Sequence, residues 1–261
     1  MIGLENYAYS NRWRIINPCD KMIFAFATML LCLFSTQAIP SLIILLSMVF
    51  LTTVQAGVPR QHYFRLFSVP VGFILIGAIT VSLSVTTNLI NLLWFISIGS
   101  YYIGITQGGL SQAILLLARS AGAASCLFFL ALTTPLDDIT CQLERWKVPY
   151  LIIEMMTLIY RFIFVFWEQA TTIHIAQASR LGHVDLKTSL RSAGYLVSSL
   201  FINAVDRSHS LYNALVARGY SDSLRVLEDE HQPTPVLIKV GFICFDLFLL
   251  GLIIFRGSVL L

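Results

Sequence analysis

RWKVPYLIIEMMTLIYRFIFVFWE, residues 145–168, is the stretch on which the fold turns. Leu151–Trp167 is apolar enough for a membrane helix, yet Glu154 and Arg161 within it and Glu168 just after it recur at seven-residue spacing. Seven residues is nearly two helical turns, so these charges and Thr157 line one narrow face. Three charges inside hydrocarbon are costly. The stretch therefore reads as the start of a long helix, 149–181, lying along the cytoplasmic side of a membrane rather than crossing it.

The membrane itself follows from composition. The 261 residues are 57% hydrophobic and only 12% charged, with a mean hydropathy of +0.78, whereas soluble domains carry about a quarter charged residues. Between Met22 and Leu136 the only formal charges are Arg60, Arg65 and Arg119. Glu168–Gln232 holds six basic and seven acidic residues, 13 of the 31 in the chain. One lipid-embedded body and one water-facing segment follow from that contrast. The five cysteines and five histidines are scattered without metal-ligand or disulfide spacing, so no metal site, catalytic cluster or cofactor is expected on this chain.

A spanning helix needs about 20 mostly apolar residues. Candidates are Met22–Ile39, Ser41–Ala56, Val69–Val85, Leu110–Leu132 and Val236–Phe255. The first follows a long polar start and reads as a membrane helix, not a cleaved signal. Pro40 parts it from the second, and Arg12, Arg14 and Lys21 before the pair, with Arg60, His62 and Arg65 after it, put both ends of that hairpin inside. Residues 86–109, with a short apolar run and Gly99, Gly104, Gly108 and Gly109, read as an extracytoplasmic excursion with an interfacial piece. Four crossings before Thr133 then return the polar segment to the cytoplasm; six would do the same if both ambiguous runs spanned. The expected fold is all-α: a polytopic protein of about five transmembrane helices, with 1–134 as N-terminal membrane helices, 135–232 as a cytoplasmic region of two long helices, and 233–261 as a last membrane helix.

The second long helix is 186–219, with apolar residues stepping by three and four from Leu186 to Leu215. Both long helices end alike. Ser179-Arg180-Leu181 precedes Gly182, and Ala217-Arg218 precedes Gly219, with Asp185 and Asp222 following. Gly182 and Gly219 are natural stop signals. A cation near a helix C-terminus is favoured by about 0.3–1 kcal/mol in any protein. The flanks are also small (Ala176, Ala178 and Ser179; Ala214 and Ala217), which leaves slim helix tips carrying a rigid charged fork suited to an acidic pocket.

Arg180 in AQASRLG and Arg218 in ALVARGYSD resemble the paired X-Arg-X motifs of the T component of energy-coupling factor (ECF) transporters. With LTTPLDDI (132–139) and RWKVPYLIIEMMTLIYRF (145–162), the likeness is to its cobalt-type branch, CbiQ, and covers nearly the whole chain. The second motif matches directly; the first reads Ser-Arg-Leu with its Gly one place later. The resemblance implies a multi-pass, non-catalytic scaffold in the bacterial inner membrane. Its partners would be two ABC-type ATPases, which bind the ATP, and a small membrane subunit that captures a transition-metal ion, cobalt. Ser179, Arg180, Leu181, Ala217, Arg218 and Gly219 would be the ATPase-coupling residues.

Among the remaining residues, Arg119 and Asp246 lie at comparable depth in their apolar runs and are expected to form a structural intramembrane pair. Asp137 and Asp138 follow a Pro, with Thr134 or Asp137 placed for an N-cap. No Walker A loop is present, since Gly182 to Lys187-Thr188 lacks the second Gly. Basic residues are too interleaved with acids for nucleic-acid binding. The alternative, a stand-alone secondary transporter or channel, would carry inverted repeats or several intramembrane ionisable groups.

Overall fold

The computed structural model describes residues 7–14, 16–86, 92–98, 101–220 and 234–257. They form two compact units, Met1–Pro135 with Glu230–Leu261, and Leu136–Asp229.

The first unit contains helices α1 (Pro18–Phe34), α2 (Ala38–Phe50), α3 (Arg60–Ser82), α4 (Gln107–Thr133) and α8 (Val236–Gly257). The Asn17 side chain accepts the Cys19 N–H and Pro18 occupies the first turn, both favourable helix starts. α2 runs on into a π-helical turn, Leu51–Gln55. α4 is the hub, packed against α1, α2 and α3, while α8 packs on α1 and α2. The small-residue run around Gly122 is what lets three helices converge: a Cβ there would stand 2.6 Å from Cys32 Sγ and 3.0 Å from the Ser41 carbonyl. Outward faces are as greasy as the core, with Phe73 and Leu237 exposed, the inverse of a soluble bundle and what a hydrocarbon solvent permits.

Among the described residues, five helices are long and apolar enough to cross a membrane: Ala38–Gln55, Arg60–Ser82, Gly108–Thr133, Tyr150–Ser179 and Val236–Ile254. The number matches expectation but the membership differs. α1 is 17 residues long, at the lower limit for a span, and the charged stretch at 150–179 qualifies on length and composition.

Between α3 and α4 the described residues are extended rather than helical. Strands β1 (Leu83–Thr86), β2 (Leu92–Ile98) and β3 (Tyr101–Thr106) form an antiparallel sheet in the order β1-β3-β2. Leu83 pairs with Ile105 and Ile98 with Tyr101, and a bulge falls between Leu92 and Trp94. A sheet with two open edges leaves backbone groups that only water can satisfy, so it belongs outside the hydrocarbon. Where an interfacial piece was expected within 86–109, the described residues before Gln107 are strands of this sheet.

The second unit consists of α5 (Leu136–Arg145), α6 (Tyr150–Ser179) and α7 (Leu186–Ala217). At 30 and 32 residues, α6 and α7 are about 45–48 Å long. They form an antiparallel hairpin, seen in the Gln177 side chain donating to the Ser192 carbonyl at one end and the Tyr220 hydroxyl donating to Glu154 at the other.

Candidate coupling site

The two arginine motifs fold alike. Arg180 closes α6 with φ −100° and ψ 18°, and Arg218 closes α7 with φ −95° and ψ 8°. Each is followed by one residue in the left-handed region, Leu181 at φ 60° and Gly219 at φ 77°. The N–H of Leu181 then reaches the Ala178 carbonyl at 3.1 Å and that of Gly182 the Gln177 carbonyl at 2.8 Å. At the second end, the N–H of Gly219 reaches Val216 and that of Tyr220 reaches Leu215, both at 3.0 Å. Both are Schellman caps, with the paired backbone bonds that satisfy the last carbonyls of a helix.

Superposing the caps on this bond pattern aligns Ser179-Arg180-Leu181 with Ala217-Arg218-Gly219, residue for residue. The displaced glycine of the first motif makes no difference to the register. The left-handed residue is Leu181 and not Gly182, which corrects the expected stop signal. Gly182 serves a different need, since a Cβ there would lie 2.8 Å from the Gln177 carbonyl and 2.9 Å from Ser192 Oγ. Its own carbonyl accepts the Ser192 hydroxyl at 2.8 Å.

Arg180 and Arg218 are exposed, as are Ala176, Ala178 and Ser179 beside the first and Ala214 and Ala217 beside the second. Neither guanidinium is ion-paired among the described residues. Asp185 precedes α7 without a side-chain cap, and Asp222 lies outside the described residues. The same cap also closes α5, where Lys147 is left-handed at φ 61° and the capping residue is Trp146. Cap geometry alone is therefore generic to this unit. What sets the two long helices apart is an exposed, unpaired arginine at the cap.

Because the hairpin is antiparallel, the arginines stand at its opposite ends. The Tyr220–Glu154 contact, at 2.6 Å, fixes the Arg218 end beside the start of α6, a helix length away from Arg180. The seven-residue charge pattern gains its meaning here. Glu154 is buried against Tyr220, and Arg161 lines a groove of about 570 Å³ between α6 and α7 with Gln169, Asn203, Asp206 and Arg207. Outward, α6 shows Ile152, Met155, Ile159 and Ile163, and α7 shows Leu190, Val197 and Phe201. The groove mixes these polar groups with Leu158, Phe162, Val165 and Leu211, while large apolar side chains stand exposed on the outside.

Other expected sites fall differently. Arg119 and Asp246 are not joined: Arg119 Nε and Asp246 Oδ1 are each buried with no hydrogen-bond partner, and no ion pair links them. Their helices, α4 and α8, are both packed on α1 and make little contact with each other. Asp137 and Asp138 sit within the first turn of α5, where the helix dipole favours acids. Thr134 is the C-cap of α4 and its buried hydroxyl is unpartnered, so it does not cap α5.

A polar knot at the end of α4 had no sequence signal beyond the residue types. Lys21, fully buried, donates from Nζ to the Thr133 carbonyl at 3.0 Å and the Trp13 carbonyl at 3.1 Å. Asn11 Nδ2 reaches the Leu132 and Thr133 carbonyls. An ammonium on the open carbonyls of a helix C-terminus meets the negative end of its dipole. Lys21 is thus a buried cap and not a surface marker of sidedness.

A helix bundle with apolar outer faces and a long hairpin whose two helices each close on an exposed arginine define the class, a multi-pass membrane protein. The chain belongs to the CbiQ family of cobalt transport proteins, whose model matches residues 10–227. It is similar to an uncharacterized protein of Methanocaldococcus jannaschii, 33% identical over 95% of this chain and 91% of the relative. The cobalt transport protein CbiQ of Salmonella typhimurium is 30% identical over 84% and 97% respectively. A fused cobalt transport protein CbiMQ of Methanocorpusculum labreanum is 29% identical over 95% of this chain and 43% of its own length. Transmembrane EcfT proteins of energy-coupling factor transporters match over shorter stretches. The chain is accordingly a T-type transmembrane component of an ECF-type transporter.

Proposed function

We propose that this chain is the non-catalytic scaffold of an ATP-driven importer of a transition-metal ion, cobalt, and that Arg180 and Arg218 are its docking plugs for two ABC-type ATPase subunits. The observation that carries this reading is the pair of like-built, exposed arginine caps at opposite ends of one hairpin. A single cap would stabilise any helix; two with the same geometry, a helix length apart, suit two receiving grooves on a pair of similar subunits. In each groove a guanidinium would meet a carboxylate, the bidentate geometry in which arginine excels. Closure of the ATPases on ATP would then move the helix ends, and α6 and α7 would carry that movement to a membrane subunit that captures the ion. The apolar outer faces of the hairpin suit contact with that subunit or with lipid. The fused CbiMQ relative supports a second membrane part working beside this one. The N-terminus and both arginine tips lie on the cytoplasmic side in this reading, and ATP is bound by the partners.

Co-purification from cells that co-express the candidate ATPases and capture subunit tests it. The wild type should retain both. Arg218→Glu should retain less ATPase, and Arg180→Glu/Arg218→Glu should lose it while remaining folded, keeping the capture subunit and losing cobalt uptake. Retention of the ATPases with uptake intact would reduce both arginines to helix caps and end the proposal.

A further inference from the structure

The first unit holds an aromatic opening. A cleft of about 300 Å³ lies between α1, the end of α2 with its π-helical turn, and the first turns of α8. Its walls are aromatic: Trp13, Phe24, Phe50, Phe242 and Phe245. Phe24 stacks on Phe242 with centroids 4.0 Å apart, and Trp13 tilts against the same ring at 5.9 Å. Water gains little from so apolar a space. A helix, about 10 Å across, would fill it poorly, whereas a chain of methylenes fits it.

Ser47 and Gln55 are the polar residues lining the cleft, and charged residues adjoin its walls in sequence, Arg12 beside Trp13 and Lys239 beside Ile238. Gln55 lines it from the π-helical turn, the kind of helix irregularity frequent at functional sites. Arg12 is adjacent to Trp13, donates its N–H to the Ala56 carbonyl at 3.3 Å, and lays its Nε 4.0 Å from where a Cβ of Gly57 would stand. It is exposed and without an ion pair among the described residues. The carboxylate on this rim, Asp20, is matched by Lys239 at 3.0 Å and accepts the Thr234 hydroxyl at 2.5 Å. Among these described residues, Arg12 is the charge left without a counter-ion. From Lys239 to Phe245 is six residues, so the aromatic walls lie within about 9 Å of the charged rim, as an acyl chain lies beneath its headgroup. Basic pockets between membrane helices are suited to anionic lipid headgroups.

We infer that this cleft is a binding site for an anionic phospholipid, one acyl chain lying between Trp13, Phe24, Phe50 and Phe245 and the phosphate resting on Arg12. The inference needs only that the chain spans a membrane, and is independent of how the ATPases dock.

The test uses the full chain, delipidated in detergent, with palmitoyl-oleoyl phosphatidylglycerol as probe. Binding is read by native mass spectrometry and by the shift in thermal unfolding. Phosphatidylcholine with the same chains, dihexanoyl phosphatidylglycerol and inorganic phosphate are the comparators. Long-chain phosphatidylglycerol should bind about tenfold tighter than phosphatidylcholine, and the other two should not protect. Arg12→Gln should abolish that preference while leaving chain-dependent binding. Gly241 lines the cleft and has open space for a side chain, so Gly241→Leu fills it without harm to the helix and should remove binding of both long-chain lipids. Equal protection by the two long-chain lipids in the wild type overturns the inference, as does unchanged binding to Gly241→Leu. Full protection by dihexanoyl phosphatidylglycerol or phosphate would make this a simple anion site and likewise overturn it.

Discussion

Leu181 holds a backbone conformation that costs a side-chain-bearing residue roughly 1–2 kcal/mol and glycine almost nothing. Leu181→Gly should therefore stabilise the chain by about 0.5–1 kcal/mol, the rest being lost to the freer unfolded chain; thermal unfolding in detergent measures it, and a lower midpoint would show that Leu181 is held by contacts of its own. Gly182→Ala should do the opposite, because its Cβ would press on the Gln177 carbonyl and Ser192 Oγ. The arginines, their small neighbours and the stop signals were all legible in the sequence. The assignment of the left-handed turn was not, because Gly182 is demanded by a residue ten positions on, and pattern reading sees only neighbours. Lys21 makes the same point more strongly. It stood in the sequence as one more basic residue before a membrane helix, yet it is sealed inside as the cap of α4. Lys21→Met should cost about 2–3 kcal/mol by stripping a charged donor from two buried carbonyls. An unchanged unfolding midpoint for Lys21→Met would mean that Asn11 suffices.

At the scale of the elements, the seven-residue charge spacing in α6 identified a seam, and its direction came only with α7. Glu154 meets Tyr220, 66 residues away, and no periodicity within α6 announces that partner. The bond ties the Arg218 end of α7 to α6, so Tyr220→Phe should loosen that end without unfolding the hairpin. Hydrogen exchange should quicken at the last turn of α7, around 213–219, and stay unchanged at 176–192, where Gln177, Gly182 and Ser192 hold the other end. Equal quickening at both ends would show that the hairpin opens as one piece. The sheet at 83–106 is the element that pattern reading missed. Its strands are short, the stretch is rich in glycine and aromatic residues, and an apolar run of seven residues does not by itself distinguish strand from helix. An open-edged sheet, like an interfacial piece, would have to stay near water.

For the whole molecule, the deciding quantity is the number of crossings, and the described helices make it testable. With α1 counted beside α2, α3 and α4, four of the described helices end by Thr133, and if all four cross, α5 begins on the same side as Trp13. α6 is apolar enough to cross again, but Glu154 bonds Tyr220, Arg161 lines the groove shared with α7 and Glu168 is exposed, an arrangement that suits water better than hydrocarbon. The two possibilities separate cleanly because α6 and α7 are antiparallel. If the hairpin lies on one side, Ser179 and Ala217 share a compartment; if α6 and α7 cross, they are on opposite sides of the membrane. In a variant with the five native cysteines replaced, single cysteines at Ser179 and Ala217 should both resist an impermeant maleimide in intact cells and both react in inverted vesicles. Labelling of position 179 in intact cells would establish a crossing at α6. It would also separate the two arginines by the bilayer, and no pair of ATPases on one side could then receive both.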